Sequence, residues 1–415
     1  MAFATYFAMY AYRKPFAAAT YHGVELGGLE LKSWLVISQL AGYAASKMVG
    51  VKFNSELPPG RRAWALIALI AWAELALVAF ALVPPAGKPI ALFLNGLPLG
   101  TVWGIVFSFL EGRRTSEILG AGLSCAYVVA SGAVRSIGTV LLHSGIGEAW
   151  MPATTGLLFL PVFLAAVYGL KLLPPPSAAD VAARTEREPM SKAERRAFAR
   201  TYLPGLVTLI VVYLFLTAYR DFRDNYSADI WGDLGGDPSA SVFTITEIPI
   251  GVAVMAVLTL LYAVKDNRRG LLYTYLIMGG GSLLIGASTL AFDAHWIGPK
   301  TWIITVGFGV YFGYVPYGCV LFDRTIAALK TVATAVFLIY ISDAFAYGGA
   351  VGVVLYKNLG QAGISKLTYF RYLSYVTCAV CTLGFAASGR YFLGRARAHA
   401  GLAPATPTEQ AAEAG

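Results

Sequence analysis

Twelve apolar blocks of helix length, separated by short breaks of Gly, Pro or charge, run through this chain. They lie near 1–21, 33–54, 63–84, 88–110, 116–142, 150–172, 202–226, 241–264, 271–291, 299–322, 328–356 and 367–394. About 20 apolar residues span bilayer hydrocarbon as a helix. In lipid every backbone N–H and C=O must find its partner within the protein, and a helix meets that demand inside one segment. Composition agrees, with 57% hydrophobic and 13% charged residues, against about 25% charged in soluble domains. A water-soluble globule is excluded, and the expected class is an all-α integral membrane protein.

Between the sixth and seventh blocks, Pro174-Pro175-Pro176 is followed by a polar, basic run to Arg200, which cannot bury a core. The expected organisation is therefore a six-helix bundle over 1–172, a linker over 173–200, a second bundle over 201–395 and a disordered tail over 396–415. Net charge is +9, but the cations are scattered in ones and twos and form no stripe of the kind that tracks nucleic acid. About 19 of the 32 Lys and Arg fall on one side of the span count, including Arg61, Arg62, Arg113, Arg114 and the linker, against about 5 on the other. Positive charge marks the cytoplasmic side, which places the linker and both termini there. Arg13 and Lys14 interrupt the first block, so it reads as a span and not as a signal peptide. The fourth block closes on Glu111-Gly112-Arg113-Arg114 and the tenth on Asp323-Arg324, as duplicated halves would.

No enzyme is indicated. His22, His143, His295 and His399 are dispersed, and Cys125, Cys319, Cys378 and Cys381 sit in apolar stretches. Neither a metal nor another cofactor is expected, and no nucleophile elbow or phosphate-binding glycine loop is visible.

The charges inside the spans carry the functional signal, because a cation near the bilayer centre costs roughly 2.5–3.5 kcal/mol on insertion scales unless it faces a wet cavity or a partner. Arg13 and Lys14 lie in the first block, Lys47 in the second, Arg135 in the fifth, and Arg220 and Arg223 toward the end of the seventh. Acids are fewer: Glu74, Glu247 and Asp343, with Asp221 and Asp224 beside the seventh-block arginines. A surplus of buried positive charge suits an anion. Tyr6, Tyr10 and Arg13 stand at i, i+4 and i+7, on one helix face. Such a guanidinium flanked by phenols can grip phosphate oxygens bidentately. The competing reading is an aromatic packing stripe with Arg13 turned outward or paired to an acid. The glycine runs 279–281 and 348–349 suit close helix packing.

Several short motifs, in order along both halves, resemble the organophosphate:phosphate antiporters of the major facilitator superfamily. They are Tyr10-Ala11-Tyr12-Arg13-Lys14-Pro15-Phe16, Tyr43-Ala44-Ala45-Ser46-Lys47, Asn95-Gly96 with Gly100 and Trp103, Arg220 ahead of Asn225-Tyr226-Ser227, Glu247 ahead of Gly251, and Gly307-Phe308 with Tyr311. The departures are Leu99 for a Gln, Tyr127 for a cavity His, and Asn225-Tyr226-Ser227 for Asp-Trp-Ser.

The resemblance implies a major facilitator fold of twelve helices in two pseudosymmetric bundles, monomeric, in a bacterial inner membrane. It implies alternating-access transport of a small organic anion, a phosphate ester, by phosphate exchange or proton coupling. The alternative is a transporter-like sensor of a phosphorylated metabolite. Arg13 and Arg220 become the direct anion contacts; Lys14, Lys47, Tyr6, Tyr10, Tyr127, Tyr311 and Asn95 complete the binding set. Glu247 is expected opposite Lys14 or Lys47. Asp343 is expected either as a proton site or as a partner of Arg135.

Overall fold

The protein is described by a computed structural model covering residues 1–110, 116–174, 192–235, 239, 241–329, 331, 335–361 and 363–401. The Glu111–Arg114 motif, most of the linker and the tail beyond 401 lie outside the described residues.

Among the described residues, twelve long helices carry the fold. In the first half they are α1 (Ala2–Arg13), α2 (Leu31–Glu56), α3 (Arg62–Leu82), α4 (Lys88–Ser108), α5 (Ser116–His143) and α6 (Met151–Lys171). In the second they are α7 (Leu203–Asn225), α8 (Val242–Ala263), α9 (Asn267–Asp293), α10 (Pro299–Pro316), α11 (Ala335–Leu355) and α12 (Lys366–Gly401). Nine helices among the described residues are long and apolar enough to cross a membrane; α1, α2 and α11 complete the twelve. A two-residue hairpin, β1 (Glu25–Leu26) and β2 (Leu29–Glu30), joins α1 to α2, with register Glu25 to Glu30 and Leu26 to Leu29. Gly27 and Gly28 both take positive φ in its turn, where a Cβ would be strained. This hairpin marks one end of the molecule.

Three local rules shape the parts nearest the site. Pro15 lacks an N–H and cannot continue an α-helix, so α1 stops at Arg13 and a tight 3₁₀ turn, Pro15–Ala18, follows. Gly96 and Gly100, one turn apart on α4, let α2 approach at backbone distance. A Cβ on Gly96 would lie 2.6 Å from the Gln39 carbonyl, and one on Gly100 would lie 2.7 Å from the Tyr43 carbonyl. The tenth apolar block runs further than its expected end at 322: after Pro316 the chain widens into a π turn, Tyr317–Leu321, and resumes as a short helix, Phe322–Leu329.

Within each half the helices pack as a bundle, α1 on α5 and α6, α2 on α4, α7 on α11 and α12, and α9 on α10. Across the seam between bundles, α2 meets α11 and α5 meets α8. Advancing either pair by six helices gives the other, which is the two-fold relation expected of duplicated halves.

Candidate functional site

Arg13 sits where α1 breaks. Its guanidinium stacks on Tyr43 of α2, 3.8 Å from the ring centroid, and donates to the Tyr10 hydroxyl at 3.5 Å. Tyr6 packs edge-on against Tyr10 at 5.6 Å, so the i, i+4, i+7 face read from sequence is formed. The carbonyl of Arg13, at a helix end, accepts from the Gln39 amide at 2.7 Å, and Asn95 in turn accepts from Gln39 at 3.1 Å. Arg13 is 3% exposed, its Nε has no partner, and no acid among the described residues forms an ion pair with it. A buried cation without a counterion is rare because desolvation is costly.

Arg220 occupies the related place on α7. It lies 4.1 Å over the ring of Tyr314 and is held by its neighbour Asp221, at 3.2 Å through Nε and 2.7 Å through an η nitrogen. Arg13 and Arg220 share Tyr10, Tyr347 and Asp221 as electrostatic neighbours. Around them stand Tyr213, stacked on Tyr314 at 5.1 Å, and Tyr127, within 6.5 Å of Tyr311 and 6.1 Å of Tyr314. The result is a buried cluster of phenols around the two arginines, side chains that combine apolar area with a polar tip.

Two ion-pair groups flank it. Lys47 of α2 pairs with Asp343 of α11 and lies between the rings of Tyr43 and Tyr347, at 5.6 and 5.4 Å; Tyr213 donates to Asp343 at 2.9 Å. At the α5–α7–α8 junction, Glu247 accepts from Arg223 at 2.8 Å and from Arg135 at 3.4 Å. Asp224 accepts from Ser131 at 3.0 Å and lies 3.5 Å from Arg223. These placements correct two expectations. Glu247 faces neither Lys14 nor Lys47 but the two arginines, and Asp343 holds Lys47, not Arg135. Asn95 lies within the first bundle, its amide donating to the Ala73 carbonyl at 3.1 Å, so its polar atoms steady Gln39 behind Arg13. Lys14 donates across the seam to Asn225 at 2.9 Å.

Toward the hairpin end the seam is sealed by further bonds: Lys32 to Asp229 at 2.5 Å, Ser33 to Tyr226 at 2.9 Å and to Asn358 at 3.0 Å, Thr244 to Ser136 at 2.7 Å, and Lys366 to Glu30 at 2.5 Å. Among the described residues no group of His, Cys, Asp or Glu is arranged to hold a metal ion.

No curated protein matches the chain by sequence. A solved structure that is similar is the crystal structure of a mutant of peptide transporter POT in complex with alafosfalin, with TM-score 0.58 and 16% identity over 95% of this chain and 93% of that one. The likeness assigns the fold, an all-α major facilitator fold, and the nine long apolar helices among the described residues make the chain an integral membrane protein. One family model, described as a family of unknown function, matches residues 15–395.

Proposed function

This chain belongs to the family of unknown function DUF5690, so its activity has to be read from its own side chains, and we propose that it is a secondary transporter of a small organic anion, a phosphate ester. The observation that carries the reading is the unpaired charge at the seam. The cations Arg13, Lys14, Lys47, Arg135, Arg220 and Arg223 exceed the acids Asp221, Asp224, Glu247 and Asp343 by two. A phosphate monoester near neutral pH carries close to two negative charges and supplies the oxygens that a guanidinium binds in paired fashion. Arg13, with no acid to release, is the primary contact, and Arg220 is recruited as it exchanges Asp221 for the substrate. Lys14, Lys47, Tyr6, Tyr10, Tyr127 and Tyr311 line the approach, while Glu247 and Asp343 act in gating. A phosphate-ester specificity would ally the chain with the organophosphate:phosphate antiporters.

The bonds at the hairpin end close that side of the seam, so transport proceeds by rocking the bundles 1–172 and 201–395 about the site, with 173–200 as the tether; residues 396–401, expected in a tail, continue α12. We place the hairpin end outside a bacterial inner membrane and the linker and termini in the cytoplasm, following the basic asymmetry. The unit is a monomer. Proteoliposomes loaded with phosphate are expected to take up a labelled phosphate ester in exchange. Binding without flux would instead indicate a sensor, and neither binding nor flux would refute the reading.

A further inference from the structure

Glu74 lies mid-span in α3, and both of its carboxyl oxygens are buried without a hydrogen-bond partner; the hydroxyl of Tyr12 is likewise unpartnered. The two side chains meet where α1, α3 and α6 join. Gly156 of α6 leaves the room: a Cβ there would strike Glu74 Oε2 and come within 3.0 Å of the Tyr12 ring. From α1 the facing titratable group is Tyr12. Nearby on α6 is Phe163, 6.5 Å from Tyr12. From α4, Asn95 turns to the Ala73 carbonyl and Lys88 to the Phe80 carbonyl. No cation among the described residues interacts with Glu74.

Other buried acids differ. Asp221, Asp224, Asp229, Glu247 and Asp343 each have a Lys or Arg. An ionised carboxylate with no partner in apolar surroundings is strongly disfavoured, and such a group takes up a proton instead. Tyr12 also immediately precedes Arg13 on α1, so a shift of that helix on anion binding reaches Glu74 directly.

We propose that Glu74 is a proton-binding site of the transport cycle, loaded in the conformation described here and released when α1 moves on α3 and α6 and water enters the Tyr12–Gly156 junction. The proposal rests on the transporter reading. Two measurements test it on the full chain in liposomes. The infrared absorption of a protonated carboxyl group is expected in the wild type and lost in Glu74→Gln. With inorganic phosphate as probe, the ratio of pH-gradient-driven accumulation to phosphate–phosphate exchange is expected to be lost in Glu74→Gln and partly restored in Glu74→Asp. An infrared band unchanged in Glu74→Gln, or an unchanged ratio, overturns the proposal. If the wild type shows no phosphate exchange, the transporter reading fails. The infrared band then decides the proton site alone: its loss in Glu74→Gln supports the site, and its persistence refutes it.

Discussion

Replacing Arg13 by Met is expected to make the protein more stable while abolishing anion binding. Burying an ion costs several kcal/mol even after relaxation. Arg13 recovers part of this from Tyr43, where a desolvated cation–π contact is worth up to about 2 kcal/mol. Its long bond to Tyr10 adds about 0.5 kcal/mol, and its place in the last turn of α1 adds roughly 0.3–1 kcal/mol. No carboxylate among the described residues forms an ion pair with it, the neighbouring Asp221 being bonded to Arg220 instead, so methionine, apolar and flexible, should gain about 1–2 kcal/mol. Arg135→Met is the control with the opposite sign. It strands Glu247 and Asp224 with Arg223 as their remaining arginine contact, and breaking a buried pair costs about 3–5 kcal/mol. Thermal unfolding in detergent should therefore give a higher Tm for Arg13→Met and a much lower one for Arg135→Met, with phosphate binding by calorimetry lost in the former. If Arg13→Met lowers Tm as far as Arg135→Met does, Arg13 is a structural residue and the site reasoning is wrong.

Arg13→Lys keeps the charge but loses the paired fork and the flat stacking surface; with charge-assisted bonds worth about 1.5–3 kcal/mol each, exchange of a phosphate ester should fall at least about tenfold, read as kcat/KM in proteoliposomes. For Lys47 and Asp343, either single neutral substitution should destabilise by about 3–5 kcal/mol and the double Lys47→Met/Asp343→Leu should recover most of it, checked by a double-mutant cycle of Tm. Gly96→Leu should cost at least about 1–3 kcal/mol by forcing α4 off α2, without touching the charge network. Removing both Lys32 and Asp229 should loosen the hairpin end, so that a cysteine at Tyr226 becomes more rapidly labelled from outside.

Periodicity in the sequence is enough to read the spans and the shared face of Tyr6, Tyr10 and Arg13, because each depends on residues within two or three turns. The break at Pro15 falls inside the first block, which the apolar pattern predicts as one unbroken span over 1–21. The same offsets recur as Tyr213, Thr217 and Arg220 on α7, a repeat that would have pointed to Tyr213. Tyr43 and Lys47 on α2 are mirrored by Asp343 and Tyr347 on α11, again four apart. Pairing was not legible. Which acid neutralises Arg135 is settled by helices about a hundred residues apart, and each acid in an apolar span could reach several bases. For that reason Glu247 stands with Arg223 and Arg135 in place of the expected Lys14 or Lys47, and Asp343 stands with Lys47 and not with Arg135, one of its two expected roles. Asn95 looked like a cavity residue because a polar side chain in a span has two uses, and only the position of Gln39 shows which one applies.

The seam is also unevenly charged from one wall to the other. The first bundle contributes Arg13, Lys14, Lys32, Lys47 and Arg135 against Glu30, while the second contributes Asp221, Asp224, Asp229, Glu247 and Asp343 against Arg220, Arg223 and Lys366. The walls thus resemble the plates of a capacitor, positive on one side and negative on the other. Prising the empty plates apart does work against their attraction, which is strong in a low-dielectric gap. An anion seated on Arg13 discharges the positive plate and repels the negative one, lowering that work. A carrier built this way turns over faster loaded than vacant, so exchange of one solute for another outpaces net movement.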